Sequence, residues 1–265
     1  MIPAGPFRIF FFVDFSRLVD PGERPFRLRG RPLAPAFSQA SAFSVMVAAV
    51  LSLACVSAFA GRPLTTDDAT ITDDRHCQLE SWMQRDAETT EYWAAPACNF
   101  TGNLEWMLGA ARMDDDVARN LAVVQAKTVL KPLQPGGWGA AIAFGRQSGD
   151  ADADDLYVNL PVSFSYDDDR LLVHVNAGWL HADDGADDLA TWGLAAQWHW
   201  TDRTDLAAET FRQNVGKPYY QLSISHQWIP GRVQVDGSYG NRLDGHDGAR
   251  FFSVGLVLFT DMIIP

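Results

Sequence analysis

Few residues of this 265-residue chain have types and spacing suited to chemistry. Nucleophilic hydrolysis needs a serine held by a histidine, a third group to orient the imidazole, and donors for the oxyanion. Ser223 and Ser225 fall on one strand face and His226 on the other, and the HVNAG stretch around His174 carries no adjacent serine. The histidines therefore read as polar fillers or interface residues, and no catalytic residues are expected. Cys77 and Cys98 lack the Cys-x-x-Cys spacing of a redox pair. The clusters DDD at 114–116, DADADD at 150–155 and DDGADD at 183–188 offer carboxylates for Ca²⁺, but not in the ligand-and-glycine order of an EF-hand. They read as solvated acidic loops, with divalent bridging to anionic lipid as a weaker alternative. No Gly-rich phosphate loop or metal-ligand spacing occurs, so no cofactor and no metal are expected.

The elements that would position such residues are extended. In DLYVNLPVSFSY, residues 155–166, Leu156, Val158, Leu160, Val162, Phe164 and Tyr166 share one face, and Tyr157, Asn159, Pro161, Ser163 and Ser165 the other. Period two is a strand with two environments. From Arg75 onward the chain breaks into twelve such pieces of about ten residues, bounded by Asp, Gly, Asn or Pro. They are approximately 76–86, 90–100, 103–113, 120–131, 137–147, 155–166, 170–181, 189–200, 204–213, 218–229, 232–241 and 250–259. An even number of strands of this length fits a tilted barrel crossing a bilayer. Acidic joints such as QSGDADADD alternate with short ones such as TDRT, as outer loops and periplasmic turns would.

The polar faces carry Ser, Gly, Ala, Asn and Gln rather than the Lys and Glu of a water-facing sheet, which suits a crowded wet interior. Aromatic residues near the strand ends, among them Tyr92, Trp106, Trp138, Tyr166, Trp179, Trp200, Trp228 and Tyr239, fit two interfacial girdles. The rival is a soluble exported sandwich or lipocalin-like barrel, which would need one very large core for nine tryptophans. The expected fold class is thus all-β, an antiparallel transmembrane barrel of about twelve strands, with the apolar face on lipid.

Ahead of the barrel, SVMVAAVLSLACVSAFA at 44–60 follows several arginines and ends in a small-x-small pattern, so residues 1–60 are expected to be an extension plus a cleaved signal peptide. Residues 61–74 follow as a short periplasmic segment, and 75–265 as the barrel. Loss of 1–60 takes the net charge from −12 to about −15, which repels nucleic acid. In an oxidising compartment Cys77 and Cys98 become disulfide candidates. Folding the first two strands about DAET pairs residues whose numbers sum to about 175, placing Cys77 opposite Cys98 and Trp82 opposite Trp93, within reach of a bond.

The charged or titratable residues expected to point inward are Glu80, Glu105, Lys127, His174, Glu209 and Asp236, with Lys127 able to reach Glu105. They allow two readings: a constriction that selects solutes, or internal ion pairs that plug a barrel conducting nothing. Inward Gly, Ala and Ser keep the bore open, while inward Trp82, Trp93 and Phe211 either occlude it or form a track for an aromatic solute.

GRPLTTDDA, CQLESWMQRD, EYWAAPACN, TGNLEWMLGAAR, QAKTVLKPL and VQVDGSYGNR together resemble poorly characterised outer-membrane barrels related to the MetA-pathway phenol-degradation type. The resemblance implies a Gram-negative outer membrane and passage of small, aromatic or hydrophobic compounds, and it brings no catalytic residues. The expected function is a passive channel or facilitator. The alternatives are a closed structural barrel with acidic loops and a lipid-modifying enzyme. Partners are outer-membrane lipid, lipopolysaccharide and small solutes. One departure is the end of the chain, where Phe259 faces inward by parity and is followed by TDMIIP.

Overall fold

A computed structural model describes residues 61–114, 118–150, 154–181, 188–213, 216–245 and 248–260. The extension and signal peptide expected over 1–60 lie outside the described residues, as do most of the acidic clusters and the last five residues of the chain. Twelve strands follow one another: β1 (Cys77–Arg85), β2 (Thr90–Asn99), β3 (Glu105–Asp114), β4 (Arg119–Lys131), β5 (Trp138–Gly149), β6 (Asp154–Tyr166), β7 (Leu171–His181), β8 (Leu189–Thr201), β9 (Thr204–Arg212), β10 (Tyr219–Ile229), β11 (Val233–Arg242) and β12 (Phe251–Phe259). Each pairs antiparallel with the next, and β12 returns to β1, closing the barrel.

Closure leaves no free edge, so every strand satisfies its backbone within the sheet, the condition for crossing hydrocarbon. The last strand is in register, with Phe259 opposite Gln78 and the Thr260 N–H donating to the Cys77 carbonyl. Three register shifts, at Val129/Lys131, His199/Thr201 and Gln227/Ile229, all sit at the end that holds Cys77, the last two beside short turns. Bulges at a barrel rim add the local twist that a short turn needs. At the opposite end strands run further than the sequence pattern suggests, β5 to Gly149 and β6 from Asp154. The acidic loops are correspondingly shorter.

The two faces divide as alternation requires. In β6, Asn159, Ser163 and Ser165 are buried while Leu156 and Tyr166 are about half exposed. Outward Leu108, Val124, Phe144, Leu194, Leu222, Ile224 and Val254 form an exposed apolar belt. Trp106, Trp138, Tyr166, Trp200 and Trp228 ring the short-turn end, and Tyr92, Trp179 and Phe252 the other. Exposed apolar surface this continuous is tolerated where lipid covers it. Beside the second ring, Asp188 accepts Trp179 Nε1 at 3.1 Å and bonds His181 Nδ1 at 2.7 Å; the bond to His181 holds its carboxyl below the usual range.

The first hairpin folds as the pairing sum predicts, with Cys77 opposite Cys98 in a disulfide and Trp82 stacked on Trp93 at 5.2 Å. The disulfide is at the short-turn end.

Candidate functional site

The barrel interior is occupied by the chain's own residues 61–74. Expected as a short periplasmic segment, this stretch instead enters the lumen at the short-turn end and crosses it, because its charges and amides match those of the wall. At the entrance Arg75 N–H donates to the Asn99 carbonyl, and Asn99 Nδ2 donates to the Thr72 carbonyl at 2.8 Å. The Thr72 N–H (2.7 Å) and its hydroxyl both donate to Glu105.

Deeper in, Asp67 and Asp68 meet Lys127. Its Nζ lies 2.8 Å from Asp67 and 3.2 Å from Asp68, and the Asp68 side chain is 1% exposed. Asn159 Nδ2 donates to the other Asp67 oxygen at 2.8 Å. The Asn176 amide bonds Asp67 in both directions, accepting its N–H and donating to its carbonyl at 2.6 Å each, as a neighbouring strand would. The Ala69 N–H donates to Ser163 Oγ at 2.9 Å, and the same hydroxyl shares a 2.8 Å hydrogen bond with His174 Nδ1.

Beyond the middle, Glu209 accepts three bonds of 2.7 Å, from Thr65 N–H, Thr66 N–H and the Thr66 hydroxyl. Gln221 and Gln234 donate to the carbonyls of Pro63 and Arg62. The Arg62 guanidinium ends on Asp236 at 2.8 Å and Ser253 at 2.7 Å, 4.7 Å from the Trp82 ring centre. Gly255 leaves the room for this contact: a Cβ there would fall 2.6 Å from both Arg62 Nε and Asp236 Oδ2.

The segment is held by wall side chains. Among the described residues no backbone-to-backbone bond joins 61–72 to a strand, so the barrel's own hydrogen bonding is complete without it. Buried charges persist only when paired or bonded, and here the segment's Arg62, Asp67 and Asp68 each pair with a charge on the wall. The space bounded by Thr66, Asn176, Phe211 and Gln213 has no room for a water molecule.

The residues singled out from sequence therefore converge on one feature. Glu105, Lys127, His174, Glu209 and Asp236 are buried against the segment or beside it, and Glu80 lies half-buried near Arg62, whose N–H is 3.4 Å from its Oε1. Glu105 is directly opposite Lys127 in the ladder, but the two bond Thr72 and the aspartates rather than each other. Trp82 and Trp93 stack in the lumen, with Trp93 Nε1 donating to Glu91. Phe211 stacks on Tyr219, which packs against Phe251 near the long-loop end.

Three things escaped sequence reading. His174 does have a serine partner, because β6 and β7 pair Ser163 opposite it; both are wholly buried, and Ser163 Oγ accepts the Ala69 N–H. Asp205, bonded to Gln197 and His199, adds an inward acid. The segment itself was missed, although GRPLTTDDATITDD offers one arginine and paired aspartates to a lumen expected to hold several acids and one lysine.

Among curated proteins no sequence relative matches. Solved structures with a similar fold include a KdgM porin, at TM-score 0.56 and 12% identity over 69% of this chain and 99% of that one. The same porin in complex with disordered oligogalacturonate superposes at TM-score 0.57, 12% identity and the same coverage. A NanC porin superposes at 0.52, with 10% identity over 70% of this chain and 100% of the other. At these identities the likeness shows a shared barrel fold. A family profile matches residues 47–257, and the chain belongs to that family, described as Uncharacterised conserved protein UCP029691.

Proposed function

We propose that the protein is an outer-membrane channel for small solutes, closed by its own residues 61–74 and conducting when that segment leaves the lumen. The observation that carries this reading is the way the segment is held. Side chains of the wall grip it, while the sheet closes independently of it, so withdrawal leaves an intact barrel. Twelve strands enclose a bore between the filled interior of eight and the open channel of sixteen. The belt and aromatic rings support lipid and lipopolysaccharide as the barrel's surroundings, and the porin fold is the architecture expected of such a channel.

Once vacated, the wall presents Glu80, Glu105, Glu209 and Asp236 against Lys127, an excess of negative charge that favours cations and neutral solutes. The oligogalacturonate of the KdgM complex is a polyanion, which a lumen of this sign disfavours. Trp82, Trp93 and Phe211, with the resemblance to phenol-degradation barrels, support small aromatic or hydrophobic compounds.

The second reading is a closed structural barrel, favoured by the same tight filling. The two separate in planar bilayers. Residues 61–265 should give a closed baseline with brief cation-preferring steps, and residues 75–265 sustained steps. A barrel of 75–265 that folds, by heat-modifiable migration, yet passes no current would refute the channel.

A further inference from the structure

The segment's first residue lies against a carboxylate. A Cβ at Gly61 would collide with Glu80 Oε1, so the backbone of residue 61 is in contact with that oxygen. Arg62 N–H is 3.4 Å from the same atom, and the rest of Arg62 is fixed by Asp236, Ser253 and Gln234. Gln78 Nε2 donates to the same Glu80 oxygen at 3.4 Å, and the Arg62 guanidinium bonds Asp236. In the sequence, Ala58-Phe59-Ala60 immediately precedes Gly61, the small-x-small pattern of a leader cleavage site.

We propose that cleavage of the Ala60–Gly61 bond creates the group that latches the segment: the new α-ammonium of Gly61 pairs with Glu80. In that step water adds across the amide, the C–N bond breaks, Ala60 leaves with a carboxylate, and the Gly61 nitrogen becomes an amine. An ordinary α-amino group has a pKa of about 7.7–8.0, so at neutral pH it takes a proton. A neutral amide with one N–H becomes a cation with three donors beside a carboxylate, the stronger kind of hydrogen bond. Processing then strengthens the closure of the lumen: before cleavage the segment binds without its terminal charge, and afterwards it is held at both ends. The inference rests on the position of residues 61–74 and does not require that the barrel conduct.

The test has two parts. Intact mass of the protein extracted from membranes gives its first residue, expected to be Gly61. Amide hydrogen exchange across 62–72 is then compared among folded barrels of the parent, Glu80→Gln, and a chain with one alanine inserted before Gly61, its start verified by mass. Loss of a charge-assisted bond predicts exchange about tenfold faster in both variants, with strand amides unchanged. Should Glu80→Gln not fold, Glu80→Asp and the inserted alanine carry the comparison. A different first residue, or exchange at the parent rate in either variant, overturns the proposal.

Discussion

Replacing Lys127 with methionine probes the grip on the segment at its tightest point. The substitution keeps the length of the side chain and removes the only cation, among the described residues, within bonding distance of Asp67 and Asp68. Asp67 retains Asn159, but Asp68, with its side chain 1% exposed, is left among the described residues with Thr70 of its own segment. Removing one partner of a buried pair costs about 3–5 kcal/mol, which here falls on the segment-bound state alone, because the aspartates are hydrated once the segment leaves. That energy corresponds to a roughly 10²- to 10⁴-fold shift toward the open barrel. The assay is single-channel recording on refolded barrels, reading the fraction of time open. Adding Asp67→Asn and Asp68→Asn to Lys127→Met should recover much of the closure by removing the stranded charges. A folded Lys127→Met barrel that stays as closed as the parent would refute the reasoning.

Three further expectations concern the wall. Glu209→Gln replaces the acceptor of three segment bonds with a group that is half donor; at about 1 kcal/mol lost per charge-assisted bond, opening should rise roughly a hundredfold and cation preference should fall, read from the reversal potential in a salt gradient. Ile224→Arg puts a charge at the middle of β10 on the outer face, and should cost about 2–4 kcal/mol in a urea titration of bilayer-inserted barrels, whereas an unchanged midpoint would argue against lipid on that face. Replacing Cys77 and Cys98 together by serine opens a 21-residue separation and should lower stability by about 3 kcal/mol, seen as an earlier denaturation midpoint that matches the reduced parent.

Strand number, face assignment and the first hairpin were legible because each rests on local pattern. Period two in DLYVNLPVSFSY fixes which side of β6 is which, and a turn at DAET fixes the sum that brings Cys77 to Cys98. Pairs more distant in sequence were partly legible: Glu105 does lie opposite Lys127, but ladder register says nothing about what a third segment does between them. Residues 61–74 form no strand in the barrel, have no period and carry ordinary turn residues, so local reasoning placed them outside. Their position follows from charge matching over separations such as that of Arg62 and Asp236, which no window of sequence contains. The clue was in the lumen, where several acids and a lysine with few mutual partners required counter-groups from somewhere. The Ser163–His174 contact is of the legible kind, since the turn between β6 and β7 pairs them as DAET pairs the cysteines.

The central claim, that residues 61–74 fill the lumen, is tested most directly by cross-linking Thr66 to the wall. A Cβ at Gly193 would lie 3.1 Å from the Thr66 Cβ, a few tenths of an ångström short of the usual disulfide separation of about 3.5–4.5 Å. With Thr66→Cys and Gly193→Cys in one chain, mild oxidation of the folded barrel should form a second disulfide, found as a 66–193 linked peptide by mass spectrometry. Two free thiols after oxidation, with the barrel folded and Cys77–Cys98 intact, would contradict the account.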